Sequence, residues 1–281
     1  MSKFFNETLK ANQWAQQNVA NQETDVHQML ESLKQRPASD GQLADARLSQ
    51  CRQVHVGNGN APRLILHQDK SSTAALEAYR GLRTRLMRAQ AKTNMKSIAI
   101  TSSLPGEGKT LTTMNLGLCY AQLPQQRVLI IDADLRTYGL TAMLDQPSTP
   151  GLAEVLAGDI TPDEAILSTN QKNLFVLPAG TISSSPPELL TGTRWQEFLN
   201  RCSELFKVIL IDTPPLHPLT DFELISAGCD GFIVVVRAHH GQREMLQNTA
   251  RTLDTKKLLG VVFNATEVNV EHYYGYGYGA K

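Results

Sequence analysis

Residues 103–110 read SLPGEGKT, and this stretch decides how the rest of the chain is interpreted. It follows an apolar run and fits the phosphate-loop pattern G-x-x-x-x-G-K-[ST], except that Ser103 stands where the first glycine belongs. Gly106 and Gly108 allow backbone N–H groups to turn inward around a phosphate, and a helix that begins near Lys109 points its positive end at the same place. The alternative, an ordinary glycine turn, is disfavoured by the strand–loop–helix setting.

The loop therefore predicts a nucleotide site. Lys109 would reach the β- and γ-phosphates of ATP, and the Thr110 hydroxyl would bind Mg²⁺. The residues expected to contact the nucleotide are Pro105, Gly106, Glu107, Gly108, Lys109, Thr110 and Leu111.

Apolar runs around the loop predict the fold. Six short runs, rich in β-branched residues, alternate with helical patterns and lie at residues 97–101, 128–131, 174–177, 208–211, 232–236 and 259–263. Strands that are apolar on both faces and alternate with helices form parallel sheets covered on both sides. We therefore predict an α/β fold, a doubly wound and mostly parallel sheet of the P-loop NTPase type. Ligands of such sheets bind beyond the carboxyl ends of the strands.

Polar side chains stand at those strand ends. Asp132 and Asp134 end the second run in IDADLR, and their mutual repulsion beside a phosphate site calls for a cation such as Mg²⁺. The alternative for this pair is an acidic turn that caps the next helix. Asp212 ends the fourth run in the Walker B arrangement, aimed at a metal. Asn264 ends the last run, where its amide would either read the adenine or close its own turn.

Composition excludes several classes of protein. The 27 basic and 27 acidic residues balance, so no overall positive field attracts nucleic acid or anionic lipid. Four scattered cysteines indicate reduced thiols and neither a zinc site nor a disulfide framework. No apolar run approaches the ~18 residues of a membrane helix, and the N-terminus has no secretory signal. We expect a cytoplasmic protein without a direct membrane span.

The chain divides into three predicted parts. Residues 1–70 form a polar, partly ordered arm, and residues 71–268 form the nucleotide-binding domain. Residues 269–281 form a flexible tail, in which a sticky low-complexity segment is one interpretation. This tail carries four of the seven tyrosines, Tyr273, Tyr274, Tyr276 and Tyr278.

The motifs PGEGKT, DADLR and IDTPP, in this order, resemble those of the bacterial tyrosine autokinases of capsule and exopolysaccharide assembly, the BY-kinases. The resemblance extends from about Arg63 to the C-terminus and includes GLAEVLAG, SPPELL and the tyrosine cluster. It implies that residues 71–268 are a P-loop tyrosine-kinase domain of the MinD/ParA-like fold, which uses ATP and Mg²⁺. It also implies that the tail is the substrate, phosphorylated between neighbouring subunits of a ring.

The resemblance assigns a role to each charged residue of the site. Asp132 takes the phenolic proton, and Lys109 neutralises charge on the transferred phosphoryl group. Asp134 and Asp212 hold the hydrated Mg²⁺ together with Thr110. The chemistry fits, because a tyrosine hydroxyl with a pKa of ~10 needs a base and a polarised phosphate.

A subunit contact is also implied. EAYRGLR matches the family's E-x-x-R-x-x-R oligomerisation motif at Glu77, Arg80 and Arg83. Helical spacing places these three along one stripe, away from the apolar face of Leu76 and Tyr79. From the spacing alone, a solvated face with an internal Glu–Arg pair worth ~0.2–0.5 kcal/mol is favoured. The resemblance favours a subunit contact.

Two features depart from the family pattern. After Arg136 the family usually continues with a proline-containing stretch, whereas this chain reads TYGLTAML. Many members carry membrane spans in the same chain, and none is found here. The resemblance therefore implies a separate membrane chain-length or co-polymerase protein, which supplies an activating cytoplasmic segment and recruits the kinase to the inner face of the membrane.

Two other functions are compatible with this fold. An ATPase switch that positions septa or partitions plasmids would carry a lysine at the second loop position, where this chain has Leu104. A non-catalytic nucleotide-binding scaffold of the export machinery would not need the full set of charged site residues. Transfer of phosphate to tyrosine separates a kinase from both.

Overall fold

The computed structural model describes residues 48–56, 64, 73–144, 150–182, 185–216, 220–238 and 253–265. Most of the predicted N-terminal arm lies outside these residues. So does the predicted tail with its four candidate acceptors, Tyr273, Tyr274, Tyr276 and Tyr278. The three predicted domain limits stay predictions.

Eight strands of the described chain form one sheet, in the order β1-β4-β5-β3-β6-β2-β7-β8. All neighbouring pairs are parallel except β4 and β5. The strands are β1 (Gln53–Val54), β2 (Ser97–Ser102), β3 (Val128–Asp132), β4 (Leu167–Thr169), β5 (Leu174–Leu177), β6 (Val208–Asp212), β7 (Gly231–Arg237) and β8 (Leu258–Asn264). The predicted doubly wound, mostly parallel sheet is confirmed, and each of the six predicted runs is a strand.

Helices connect the strands. Those described are α1 (Thr73–Thr93), α2 (Lys109–Ala121), α3 (Gly139–Met143), α4 (Leu152–Ala157), α5 (Pro162–Ala165), α6 (Pro186–Leu190), α7 (Arg194–Leu205) and α8 (Asp221–Gly228). None of these helices is long and apolar enough to cross a membrane.

The core lies on both faces of the central strands. Every residue of β2, β3 and β6 is buried, as expected for parallel strands covered by helices on both sides. On α1, Leu86 is buried, and Leu76, Tyr79, Leu82 and Met87 pack against the core. All four cysteines are free thiols.

Two strands, β1 and β4, were not predicted. β1 has only two residues, lies within the predicted polar arm, and pairs with β4. Val56 and Leu64, from the same polar segment, also join the core. These residues are too few to produce a periodic pattern, so sequence reasoning passed over them.

The sheet order brings the candidate site together. β3, β6 and β2 are neighbours, so their carboxyl ends lie side by side at one edge. Asp132 and Asp212 are directly opposite each other in the parallel register of β3 and β6. The loop after β2 reaches the same edge, as the fold predicts for a ligand site.

Candidate active site

The loop between β2 and α2 has a backbone that only glycine adopts easily. Gly106 and Gly108 have φ values of 81° and 95°, in the left-handed region. A Cβ atom on Gly108 would come within 2.1 Å of the Asn264 side chain. Gly108 directly precedes Lys109, the first residue of α2. The predicted glycine-rich phosphate loop at a helix N-terminus is present in the structure.

Two side chains hold the loop from inside. The buried Glu107 carboxylate accepts hydrogen bonds from the backbone N–H groups of Leu104 at 2.8 Å and Arg237 at 3.4 Å. Asn264 donates from Nδ2 to the Glu107 carbonyl at 2.8 Å and accepts from the Ala265 N–H at 2.9 Å. Asn264 therefore closes its own turn and supports the loop. A contact of Asn264 with adenine stays a prediction.

Lys109 joins the loop to the carboxylates. Its Nζ lies 2.9 Å from Asp134 Oδ2 and 3.9 Å from Asp212 Oδ2, and all three side chains are buried. Burial by itself would lower the pKa of Lys109, but the charges of Asp212 and Asp134 outweigh it and raise this pKa. The ammonium is thus held in its charged form.

Two threonine hydroxyl groups of α2 lie next to the Asp212 carboxylate. Thr110 Oγ1 donates to Asp212 Oδ2 at 2.7 Å, and Thr113 Oγ1 lies 3.4 Å from Asp212 Oδ1. Burial raises the pKa of Asp212 to about 7, because it outweighs the opposing effect of the Lys109 charge. The structure brings Thr110 and Asp212 into direct contact, and their shared binding of Mg²⁺ stays a prediction.

Asp132 and Asp134 lie in different environments although they are two residues apart. Burial raises the pKa of Asp132 to about 6, against the hydrogen bonds from Thr141. The pKa of Asp134 is lowered, because the charge and hydrogen bond of Lys109 and the Thr137 contacts outweigh burial. Asp132 is therefore the more basic of the two carboxylates. Divergent pKa values of neighbouring carboxyl groups mark different chemical roles.

Thr141 is a site residue that sequence reasoning missed. It lies on α3, within the TYGLTAML stretch that departs from the family pattern, and donates to Asp132 Oδ2 from its N–H at 2.8 Å and from Oγ1 at 2.7 Å. Its distance from Asp132 along the chain matches no familiar motif, so the sequence held no signal for this contact.

The donor set fits Mg²⁺. Thr110, Asp134 and Asp212 supply a hydroxyl and two carboxylates, and Mg²⁺ commonly binds one or two carboxylates, waters and substrate phosphates. Within the described residues, no group of three or more His, Cys, Asp or Glu side chains is arranged to hold a metal ion. An ion at this edge would thus draw its remaining ligands from nucleotide and water.

The predicted oligomerisation residues separate into two environments. Arg80 Nη1 lies 2.7 Å from Glu77 Oε1, and both side chains are about half exposed. This is the internal Glu–Arg pair expected from the spacing alone. Arg83 instead donates from Nη1 to the carbonyl of Cys119 on α2 at 2.6 Å. Arg83 is therefore bonded within the chain, to the helix that begins at Lys109.

Comparison with known proteins identifies the family. The model of an AAA domain family, AAA_31, matches residues 95–258. The tyrosine-protein kinase YwqD of Bacillus subtilis is 34% identical over 221 residues, which cover 78% of this chain and 92% of that protein. The chain belongs to the bacterial tyrosine-protein kinases. The predicted family is confirmed.

Solved structures agree with this kinase's fold. The chimerical protein CapA2B2 superposes with a TM-score of 0.66 at 28% identity, covering 79% of the kinase and 97% of that chain. The cell division ATPase MinD of Pyrococcus furiosus gives a TM-score of 0.51 at 25% identity, covering 60% and 70%. The enzyme is a protein-tyrosine kinase on a nucleotide-binding P-loop fold that it shares with MinD-like ATPases.

Proposed function

We propose that this kinase transfers the γ-phosphoryl group of ATP to the tyrosines of its own C-terminal tail, in trans between neighbouring copies. The acceptors are Tyr273, Tyr274, Tyr276 and Tyr278. The observation that carries the proposal is the buried contact between the phosphate-loop lysine and the carboxylates at the ends of β3 and β6. It supports a site for phosphates and Mg²⁺ next to the proposed proton acceptor Asp132, which lies opposite Asp212 in the sheet.

Asp132 is the proposed base. The phenol is protonated at neutral pH, since its pKa is ~10. As the bond between the phenolic oxygen and the γ-phosphorus forms and the bond to ADP breaks, the phenolic proton passes to the Asp132 carboxylate. A pKa of about 6 leaves Asp132 ionised at neutral pH and more basic than an ordinary aspartate. Such a match to the operating pH favours general base catalysis.

Lys109 and the loop are proposed to bind and orient the phosphates. The charged Lys109 ammonium would stabilise negative charge on the transferred phosphoryl group, and loop N–H groups would fix its position. Thr110, Asp134 and Asp212 would hold Mg²⁺, which supplies Lewis-acid neutralisation of the phosphate charge when bound. Lys109 must then exchange its contacts with these carboxylates for contacts with phosphate.

Self-association is proposed to present the tail of one copy to the site of the next, in a ring. The exposed Glu77–Arg80 pair supports a contact surface on α1, because both side chains are accessible to a second copy. Arg83 would contribute by fixing α1 against α2. Sedimentation of the wild type and of a Glu77, Arg80 and Arg83 triple alanine variant tests this contact.

The kinase is further proposed to regulate capsule or exopolysaccharide polymerisation and export from the inner face of the membrane. CapB of Staphylococcus aureus, a putative tyrosine-protein kinase, is 31% identical over 219 residues, and it covers 76% of this chain. The proposed partner is a membrane co-polymerase protein with an activating cytoplasmic segment. Stimulation of autophosphorylation by such a segment tests the partnership, and an unchanged rate would count against it.

The direct test of the activity uses purified protein and Mg-ATP. We expect phosphate on the four tail tyrosines by mass spectrometry, and its loss when all four are replaced by Phe. ATP binding should persist in the four-Phe variant. If that variant acquires phosphate at the wild-type level, the acceptors lie elsewhere, with Tyr79, Tyr120 and Tyr138 the tyrosines left to examine.

A further inference from the structure

Thr141 contacts the proposed base, Asp132, through two short hydrogen bonds. It is buried on α3, and two of its groups, the N–H and the hydroxyl, donate to the same oxygen, Asp132 Oδ2, at 2.8 and 2.7 Å. The other oxygen, Oδ1, accepts only a long hydrogen bond of 3.3 Å from the Asp134 N–H among the described residues. Oδ2 of Asp132 thus accepts two short hydrogen bonds, whereas Oδ1 accepts one long hydrogen bond.

The direction of the Thr141 hydroxyl is also defined. Its Oγ1 accepts a hydrogen bond at 3.1 Å from the N–H of Ala179, which follows β5. A hydroxyl has one proton to donate, and here that proton points to Asp132 because the N–H of Ala179 occupies a lone pair. The Ala179 carbonyl in turn accepts from the Ala153 N–H at 2.9 Å on α4. Thr141 is therefore held from both sides.

A carboxylate has about four lone-pair sites. Three donors occupy three of them, two on Oδ2 and one on Oδ1, so the remaining site of Asp132 is on Oδ1. We propose that Thr141 is a positioning residue for tyrosine phosphorylation, which fixes the Asp132 carboxylate so that Oδ1 receives the phenolic proton. The inference rests on the proposed role of Asp132 as the base.

Substitution of the hydroxyl tests the inference. Thr141→Val keeps the branched shape and the backbone N–H but removes the side-chain donor to Oδ2. We expect kcat for autophosphorylation to fall about tenfold to a hundredfold, as for other small misplacements of a catalytic group. The affinity for ATP and its KM should stay unchanged, because the Thr141 hydroxyl bonds Asp132 and the N–H of Ala179, neither of which belongs to the phosphate loop.

Matched variants separate positioning from packing. Thr141→Ser and Thr141→Ala both lose the methyl group, but only serine keeps the hydroxyl, so serine should retain most of kcat and alanine should not. Thr169→Val is the control: Thr169 is buried on β4, and its hydroxyl donates to the Leu174 carbonyl at 2.9 Å, at the start of β5 and away from the site. This control should keep wild-type kcat. Equal losses for serine and alanine would overturn the inference.

Asp132→Asn, measured beside the Thr141 variants, separates this inference from the role of Asp132. Its transfer should fall below detection, whereas Thr141→Val should keep a measurable residual kcat. Wild-type transfer by Asp132→Asn would refute the base itself. If Asp132→Asn abolishes transfer while Thr141→Val and Thr141→Ala keep wild-type kcat, the base role stands and the positioning role is wrong.

Discussion

The ion pair in the candidate active site and the ion pair on α1 have almost the same length, but the first is buried and the second is exposed. Lys109 and Asp134 meet at 2.9 Å with side chains only 11% and 1% exposed, whereas Arg80 and Glu77 meet at 2.7 Å with side chains 42% and 54% exposed. Removal of one partner from a buried pair leaves an uncompensated charge and costs about 3–5 kcal/mol. An exposed helical pair contributes about 0.2–0.5 kcal/mol.

The charge balance of the two regions differs as well. The buried region holds one ammonium against three carboxylates, those of Asp132, Asp134 and Asp212, whereas the exposed pair is balanced. An excess of buried carboxylates raises the pKa values of some of these carboxyl groups, and a further cation would stabilise their charged forms. The comparison indicates that the buried region is suited to charged ligands, whereas contact of the exposed pair with a second copy of the chain stays a proposal.

Lys109→Met should have the largest effect. It removes the charge that meets the phosphates, so we expect loss of nucleotide binding and a fall in autophosphorylation on the order of a thousandfold. Lys172→Met, at an exposed lysine, is the control. Full autophosphorylation by the Lys109 variant would show that the loop is not the phosphate site.

Asp132→Asn should abolish phosphate transfer but not ATP binding. A base is lost but no phosphate ligand, so transfer should fall below detection while ATP affinity stays close to wild type. Equilibrium binding of labelled ATP and a phosphotyrosine assay measure the two quantities on the same preparation. Loss of ATP binding as severe as in Lys109→Met would instead indicate that Asp132 holds the metal.

Stability should depend on pH through Asp132. Its pKa rises from 3.8 to about 6 in the fold, so the folded state holds this proton more tightly than the unfolded state. The stabilisation of the folded state by this proton is fully present below pH 4, and it is lost as the pH rises through 6. Relative to wild type, nucleotide-free Asp132→Asn should gain on the order of 2–3 kcal/mol of unfolding free energy between pH 4 and 7.

Denaturant unfolding at several pH values measures this difference. The variant is compared with wild type at each pH, so that the titration of groups that do not interact with Asp132 cancels. Asp159→Asn, at an exposed carboxylate, is the matched control substitution. A difference between Asp132→Asn and wild type that stays constant from pH 4 to 7 would contradict the burial argument.

The smallest stability effects are expected on α1. Arg83→Ala should lower the unfolding free energy by about 1 kcal/mol, because the Cys119 carbonyl loses a donor. Glu77→Ala and Arg80→Ala should each change it by no more than about 0.5 kcal/mol, yet shift sedimentation towards the monomer. An unchanged sedimentation profile for these two would leave the exposed pair as a solvated face.

The sequence predicted those parts of the structure that depend on local patterns. Six strands appeared as apolar runs, and the charged site residues followed from their positions at strand ends. Contacts made by long-range folding were not predictable. Thr141 reaches Asp132 only because α3 turns back over the end of β3. Arg83 turns inward because a long side chain can leave the stripe that helical spacing assigns to it.

Transfer between copies is the central claim, and a mixing experiment tests it most directly. The four-Phe variant keeps the charged site but lacks the tail acceptors, whereas Asp132→Asn keeps the acceptors but lacks the base. With Mg-ATP, neither variant alone should gain tail phosphotyrosine. The mixture should carry phosphate on Tyr273, Tyr274, Tyr276 or Tyr278 of the Asp132→Asn protein. A mixture without phosphate on these tyrosines would contradict the account.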